Sequence, residues 1–166
     1  MSEKTAEPPV RMNSKLIEGE LTARGRKVAI AAARFNDFIV SSLLKGATTA
    51  WRERGGADAD LLIARVPGAF ELPVVARRLA LSERYDAVIA LGCVIRGDTP
   101  HFDYVAGECA RGLQLASLET GLPIIFGVLT VETVDQALER AATSAGNKGG
   151  ESMETALEMI SLMKQL

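Results

Sequence analysis

The sequence predicts one α/β domain in three layers, in which a parallel four-stranded sheet is covered by helices on both faces. Two observations lead to this prediction. Four short apolar runs alternate with longer segments whose apolar residues recur at helical spacing. After Lys27 the first run is apolar throughout rather than alternating, which is typical of a strand buried on both faces. Strand–helix alternation with short connections favours right-handed crossovers and hence parallel strands.

The first half of the chain contains two predicted strand–helix pairs. A strand over residues 27–33 is followed by a helix over about 38–54, which a pair of glycines ends. The second strand lies near residues 61–66 and stops at a Pro-Gly pair. A helix over about 71–82 comes next, and Pro73 suits its first turn.

The third pair is the one that carries the only histidine. A strand over about 87–94 is followed by Thr99 and Pro100, which resemble an N-cap and the first residue of a helix running to about residue 120. The fourth strand spans residues 124–129.

The two ends of the chain complete the predicted organisation. Two helices are expected near the C-terminus, at about 133–144 and 152–164. Residues 16–21 could add a fifth, edge strand, either to the sheet of the same chain or to that of a neighbour. Residues 1–15 are interpreted as a mobile tail, and residues 16–166 as a single domain.

Composition excludes several classes of protein. The 166 residues are 48% hydrophobic and 24% charged, as in globular proteins, and the net charge is −2. Without a basic run interleaved with aromatic residues, nucleic acid is not an expected partner. No apolar stretch is long enough for a membrane-spanning helix, and the first residues lack the apolar core of a signal peptide, so we expect a cytoplasmic protein without membrane contacts.

A metal site is not expected either. The two cysteines, Cys93 and Cys109, are too far apart in sequence for a zinc motif, and one histidine adds little to them. Cys93 next to His101 could be a nucleophile with its base, but its apolar strand favours an inert buried thiol.

The predicted strand ends carry the polar and aromatic residues that a small-molecule site needs. In open α/β sheets ligands bind beyond the carboxyl ends of the strands. Those ends comprise residues 34–36, 67–71, 96–101 and 130–132, and all five phenylalanines lie at or near strand exits. They offer aromatic faces, amide and carboxylate groups, helix-start N–H groups and, at His101, a proton shuttle near neutral pH.

Each of these residues also has a simpler explanation. Phe35 could be a hydrophobic staple, and Glu71 could merely favour a helix N-terminus. Arg140 and Lys148 could be ordinary solvated charges. The glycine-containing stretch before His101 lacks the spacing of a P-loop or Rossmann fingerprint, which argues against ATP, GTP or NAD as the ligand.

Taken together, five segments resemble the lumazine synthase family, whose members have a flavodoxin-like fold. The segments occur in the order and spacing of that family over roughly residues 19–160, and five in register are highly specific. They are residues 33–36, 66–73, 91–104, 123–130 and 146–149.

The resemblance implies a reaction and a pyrimidine site. The reaction is condensation of 5-amino-6-(D-ribitylamino)uracil with 3,4-dihydroxy-2-butanone 4-phosphate to 6,7-dimethyl-8-ribityllumazine, phosphate and water, with no cofactor and no metal. Phe35 would stack on the pyrimidine. The ribityl chain and the uracil would be held by Ala69, Phe70 and Glu71, and main-chain groups would bind the pyrimidine at Cys93, Val94 and Ile95.

The resemblance also implies a phosphate side and a proton donor. Asp98 and Thr99 would contact the butanone phosphate, and Arg140 would grip its phosphate group. Lys148 belongs to the same substrate-binding set. His101 matches the proton donor of the family.

The family resemblance further implies a homopentamer, in which Phe126 would complete the pocket of an adjacent subunit. Pentamers of this kind can build a closed icosahedral shell, and a functional link to riboflavin synthase is expected. Two departures from the family pattern are Pro100, which stiffens the loop before the histidine, and Ser144, where many relatives have lysine. The rival interpretations are a non-catalytic flavin- or lumazine-binding shell, a thiol enzyme and a flavodoxin-like electron carrier.

Overall fold

A computed structural model describes residues 15–142 and 146–166. The predicted tail, apart from Lys15, and Ser144 lie outside these residues. The strands are β1 (Val28–Ala33), β2 (Leu61–Val66), β3 (Ala87–Ile95) and β4 (Ile124–Val131). The helices are α1 (Asp37–Glu53), α2 (Leu72–Leu81), α3 (His101–Thr120), α4 (Val134–Ala141) and α5 (Lys148–Met163), with 3₁₀ turns at Asp58–Asp60 and Ala69–Glu71.

The four strands form one all-parallel sheet in the order β2-β1-β3-β4. Helices α1, α4 and α5 pack on one face, and helices α2 and α3 pack on the other. The predicted three-layer α/β architecture is therefore confirmed, with the strand order of flavodoxin-like folds.

Strand β1 shows why the two inner strands, β1 and β3, are apolar throughout. Its alternate residues Val28, Ile30 and Ala32 belong to the core beneath α1, α4 and α5. Ala29 and Ala31 belong to the core beneath α2 and α3, and all of these side chains are fully buried. Both faces of the strand are covered, so neither set of alternate positions can be polar.

The expectation of an edge strand at residues 16–21 is wrong for the sheet of this chain. This segment has no strand structure and lies against α5 instead. The Gln165 side chain donates a hydrogen bond to the Glu18 carbonyl oxygen at 2.7 Å. Gly19 lies so close to the backbone of Glu158 that a Cβ there would meet its carbonyl oxygen at 2.0 Å. The packing on α5 keeps the segment from pairing with its own sheet.

Two helix starts also differ from the prediction. Helix α5 begins at Lys148, four residues earlier than expected, because the Asn147 side chain caps it and keeps two glycines helical. Helix α3 begins at His101, one residue after Pro100, and the Thr99 hydroxyl accepts a hydrogen bond from the His101 N–H at 3.4 Å.

Helix α4 is shorter than predicted. Thr133 caps its N-terminus by accepting a hydrogen bond from the Gln136 N–H, and extended backbone at Ala142 ends it. No helix among the described residues combines the length and the apolar character needed to span a bilayer.

Candidate active site

A cavity of about 850 Å³ opens where the strand order changes direction, between β1 and β3. The chain leaves β1 for β2 on one side and later returns to β3 on the other, so the loops diverge and leave a crevice. Its volume suits a drug-sized ligand. The predicted site residues that line it are Phe35, Ala69, Phe70, Glu71, Cys93, Val94, Ile95, Thr99 and His101.

The exit of β1 presents an exposed aromatic ring at the mouth of this cavity. The N–H of Phe35 donates to the Pro67 carbonyl oxygen at 3.0 Å, which extends the pairing with β2. Asn36 adopts the left-handed conformation (φ 58°), which asparagine tolerates well. The Phe35 ring remains 71% exposed, so it is not buried as a hydrophobic staple would be.

Asn36 also connects β1 to β3 beneath the cavity. Its side-chain Nδ2 donates to the Cys93 carbonyl oxygen at 2.9 Å. Asn36 is at a predicted strand exit, but its residue type alone did not indicate this role. An amide side chain directly after a strand was the only indication in the sequence.

Ile95, the last residue of β3, has no strand partner on the side that faces β1. Pairing with β1 stops at Leu91, whereas pairing with β4 continues to Ile95. Because hydrogen-bonding direction alternates along a strand, the N–H and C=O of Ile95 face the same side as the Cys93 carbonyl. These groups can bind the edge of a planar polar ring.

The exit of β2 brings Glu71 to the cavity. Gly68 is extended, and a 3₁₀ turn over Ala69–Glu71 follows it. A Cβ on Gly68 would lie 3.2 Å from the Glu71 carboxylate, so glycine gives that carboxylate room. Ala69 is buried beneath the turn, while the Phe70 ring is exposed.

Arg96 organises the exit of β3. Its guanidinium forms ion pairs with Glu132 at 2.8 Å and Asp103 at 3.2 Å, and it lies 4.3 Å from the centre of the Phe102 ring. The hydrogen bond that Arg96 donates to the Glu132 carboxylate raises the pKa of Arg96. These contacts join the ends of β3 and β4 to the first turn of α3, where His101 lies. This role of Arg96 was not predicted from the sequence.

The start of α3 borders the cavity through His101, its first residue, and through Thr99, two residues before it. Unpaired N–H groups at a helix N-terminus favour anions. Asp98, by contrast, is exposed and does not line the cavity.

Cys93 lines the cavity as a thiol rather than a thiolate. It is 3% exposed, and burial raises its pKa to about 11. A nucleophilic cysteine needs a lowered pKa. The environment of Cys93 therefore argues against the thiol enzyme.

The remaining predicted residues line a separate groove of about 580 Å³ along β4. Phe126, Arg140 and Lys148 all border this groove. The expectation that every phenylalanine lies near a strand exit is wrong for Phe126. It is the third residue of β4, well before the strand ends at Val131, and its ring is 45% exposed.

The two openings differ in charge. No lysine or arginine is among the residues that line the cavity, whose only carboxylate is Glu71. The groove contains both Arg140 and Lys148. Lys148 forms an ion pair with Glu151 at 2.6 Å, whereas Arg140 donates to the Gln136 carbonyl oxygen and has no acidic partner among residues 15–142 and 146–166. An anion held in the cavity would need cations from elsewhere.

Among the described residues, no cluster of three histidine, cysteine, aspartate or glutamate side chains could hold a metal ion. The chemistry available comes from one imidazole, one carboxylate, aromatic rings and backbone groups. This combination at the switch point of a doubly wound sheet is typical of an α/β enzyme that acts on a small molecule.

Comparison with known proteins assigns the family. The model of the 6,7-dimethyl-8-ribityllumazine synthase family matches residues 25–164. A 6,7-dimethyl-8-ribityllumazine synthase from Syntrophus aciditrophicus (strain SB) is 56% identical over 149 residues, covering 90% of this chain and 97% of the relative. One from Chlorobium chlorochromatii (strain CaD3) is 53% identical over 155 residues, covering 93% and 100%. The chain belongs to the 6,7-dimethyl-8-ribityllumazine synthase family, a family of transferases in riboflavin biosynthesis.

Proposed function

We propose that this chain condenses 5-amino-6-(D-ribitylamino)uracil with 3,4-dihydroxy-2-butanone 4-phosphate, and that each site combines the cavity of one copy with the β4 groove of the next. Family membership supports the reaction. One observation carries the shared site: a single chain holds the aromatic and proton-transfer groups in one opening and the cations in another.

The cavity supplies the pyrimidine half of the proposed site. The exposed Phe35 ring stacks on the pyrimidine, and the Glu71 carboxylate accepts hydrogen bonds from its N–H groups or from ribityl hydroxyls. Main-chain groups at Ile95 bind the ring edge, while Val94 and Cys93 form the wall. Ala69 and Phe70 flank the ribityl chain.

The groove supplies the phosphate half. Arg140 grips the phosphate of the butanone with a planar pair of N–H donors, which suits phosphate oxygens. Lys148 adds a second positive charge, and Phe126 closes the apolar side of the site. Thr99 and the start of α3 approach the same phosphate from the cavity side. Asp98, which does not line the cavity, precedes Thr99 at the outer edge of the proposed site.

The chemistry consists of proton relocations between two reactive substrates. The 5-amino group attacks the ketone and forms a Schiff base with loss of water. Phosphate then leaves, the resulting enol tautomerises to a ketone, and the ribitylamino nitrogen attacks that ketone and closes the second ring with loss of a second water. His101 at the start of α3 moves protons during these steps. Much of the acceleration comes from holding both substrates in one orientation.

A site of this kind predicts the symmetry of the assembly. The cavity and the groove are different surfaces, so their contact is heterologous and repeats head to tail until a ring closes. We propose a homopentamer, which can be a unit of an icosahedral shell, with riboflavin synthase using the product. Exposed apolar residues on α2 and α3 give such an assembly surface to bury: Val74, Tyr104, Leu115 and Leu118.

Two further expectations belong to this proposal. Residues 16–21, which form no strand in this chain, would pair with the sheet of a neighbour. The working unit would be residues 16–166, acting in the cytoplasm.

Complementation between two impaired variants, assayed with the butanone phosphate well below its KM, tests the shared site. One variant carries Glu71→Ala in the cavity and the other carries Arg140→Ala in the groove; the two chains are coexpressed in equal amounts. In a ring with random order, about a quarter of the contacts join an intact cavity to an intact groove, so about a quarter of the wild-type activity returns. Formation of the lumazine product is followed by its absorbance.

The control is coexpression of two variants of the same half, Glu71→Ala with Phe35→Ser, which cannot restore an intact cavity. If the first mixture gains no activity over its separate components, the site lies within one chain and the shared arrangement is wrong. A wild-type protein that binds the pyrimidine substrate but forms no product would instead support the non-catalytic binding shell.

A further inference from the structure

We propose that Asn147 is a positioning residue, which holds Arg140 and Lys148 in a fixed arrangement for binding phosphate. The inference rests on the proposed function, because it gives these two cations the phosphate of the substrate. Asn147 itself does not line the groove. It acts through the ends of the two helices that carry the cations.

The side-chain amide of Asn147 uses its full hydrogen-bonding capacity. Its Nδ2 donates to the Ser42 carbonyl oxygen at 2.9 Å and to the Ala141 carbonyl oxygen at 2.8 Å. Its Oδ1 accepts from the N–H groups of Gly149 at 2.8 Å and Gly150 at 3.1 Å. An asparagine amide offers two donor hydrogens and two lone pairs, so all four are satisfied.

These four bonds connect α1, α4 and α5 close to the two residues that carry the cations, Arg140 and Lys148. Ala141 is the last residue of α4 and directly follows Arg140. The two accepted bonds come from the first turn of α5, which begins at Lys148. The bond to Ser42 anchors both helix ends to α1. One side chain therefore sets the position of one cation relative to the other.

Close packing leaves this connection little freedom. A Cβ on Gly46 would lie 2.1 Å from the Asn147 Oδ1, and a Cβ on Gly149 would lie 1.8 Å from the Leu43 carbonyl oxygen. Glycine at both positions lets α5 and the amide approach the backbone of α1. A longer side chain at position 147 has no space there, and a shorter one cannot reach both carbonyl oxygens.

The groove gives this geometry a function. Arg140 and Lys148 both line it, and Lys148 shares its charge with Glu151 in the same turn. A phosphate must compete with Glu151 for Lys148 while it forms directed hydrogen bonds with Arg140. Small displacements between the two helix ends weaken such a two-point contact.

The experiment compares Asn147→Ser with wild type in the intact assembly. Serine keeps an oxygen that can cap α5, but its shorter side chain with one O–H cannot make both donations to the carbonyl oxygens. We expect the dissociation constant for inorganic phosphate, measured by calorimetric titration, and the KM for the butanone phosphate to rise by about tenfold. The KM for the pyrimidine substrate should stay within about twofold of wild type.

Trp51→Phe is the matched control. It removes another partly buried hydrogen bond to a carbonyl oxygen, from Trp51 Nε1 to Ala57 at 3.0 Å, away from both openings. It should lower the melting temperature without changing phosphate affinity. Equal increases in both KM values for Asn147→Ser, or unchanged phosphate affinity in a folded Asn147→Ser assembly, would overturn the inference.

Two additional variants cover the remaining cases. If the serine variant does not fold, Asn147→Asp keeps the cap and loses the donations. Weakened phosphate binding that persists at high salt supports lost positioning, whereas recovery at high salt indicates charge repulsion alone and overturns the inference. In an Arg140→Ala background, Asn147→Ser should raise the dissociation constant for phosphate by a smaller factor than in wild type, because the main residue that Asn147 positions is absent. An undiminished effect also overturns the inference.

The same measurements separate this inference from the proposed function. Phosphate titration does not require turnover. A wild-type assembly that makes no lumazine would reject the proposed function, whereas the effect of Asn147→Ser on phosphate affinity would still be measured.

Discussion

The cavity at the strand exits and the groove along β4 contain complementary chemistry. The cavity offers the Phe35 ring, the Glu71 carboxylate and the His101 imidazole, but no arginine or lysine. The groove offers two cations and the half-exposed Phe126 ring, but no histidine. Neither opening alone suits a planar pyrimidine together with a phosphorylated sugar fragment. In the proposed function, contact with a second copy of the chain brings these divided groups together.

The largest effect is expected from a substitution that separates the cavity of one copy from the groove of the next. Phe126→Asp places a carboxylate on the apolar rim of the groove, where burial against a neighbour would be costly. We expect smaller assemblies by sedimentation velocity and a loss of activity of about 1,000-fold, because the two substrates are no longer held together. The isolated fold should persist, since the ring is half-exposed in the single chain.

Phe38→Asp is the control for Phe126→Asp. The Phe38 ring is also exposed, but it lines neither opening. A Phe126→Asp protein that becomes smaller while retaining full activity would show that the cavity works alone.

The fold, and the meeting of the strand-exit residues at one edge of the sheet, could be predicted from the sequence for a physical reason. Buried parallel strands are apolar on both faces, and residues after such strands meet at one edge of the sheet. The structure brings Phe35, Glu71 and His101 to one cavity accordingly. The groove could not be predicted in the same way. Phe126 lies inside a strand, and Arg140 on a helix resembles any solvated charge.

The side-chain contacts that position the site residues could not be predicted from the sequence either. Asn147 keeps two glycines within α5, although glycine usually weakens a helix. The contacts of Arg96 with Glu132 and Asp103 depend on the relative positions of two strand ends and one helix. Local patterns do not contain such long-range geometry.

Arg140→Ala examines the groove alone. Loss of a charged hydrogen-bonding partner should raise the KM for the butanone phosphate by about 30-fold, while the KM for the pyrimidine changes little. Steady-state kinetics with each substrate varied in turn measures both values. Glu139→Ala, a neighbouring exposed residue that does not line the groove, should change neither. An unchanged KM for the phosphorylated substrate would remove Arg140 from the site.

His101→Ala examines the cavity alone. We expect a decrease in kcat of about tenfold, less than general acid–base catalysis often supplies, because orientation of the substrates is retained. Both KM values should stay within about threefold of wild type. Single-turnover measurements distinguish a slower chemical step from slower product release. A loss as large as that of Phe126→Asp would contradict the view that orientation supplies most of the acceleration.

The smallest effect on activity concerns Cys93, which lines the cavity but has no role in the proposed chemistry. Cys93→Ser should keep kcat within about threefold of wild type. Loss of all activity would instead support the thiol enzyme.

Burial raises the pKa of Cys93 and of Cys109 from 9.0 to about 11. Between pH 9 and 11 the unfolded chain therefore binds fewer protons than the folded one, and the free energy of unfolding falls as pH rises. Urea unfolding under reducing conditions should show a shallower alkaline decrease for Cys93→Ser than for wild type. Equal slopes would mean that the thiol of Cys93 titrates as it does in the unfolded chain, and that the wall of the cavity is wetter than its buried position indicates.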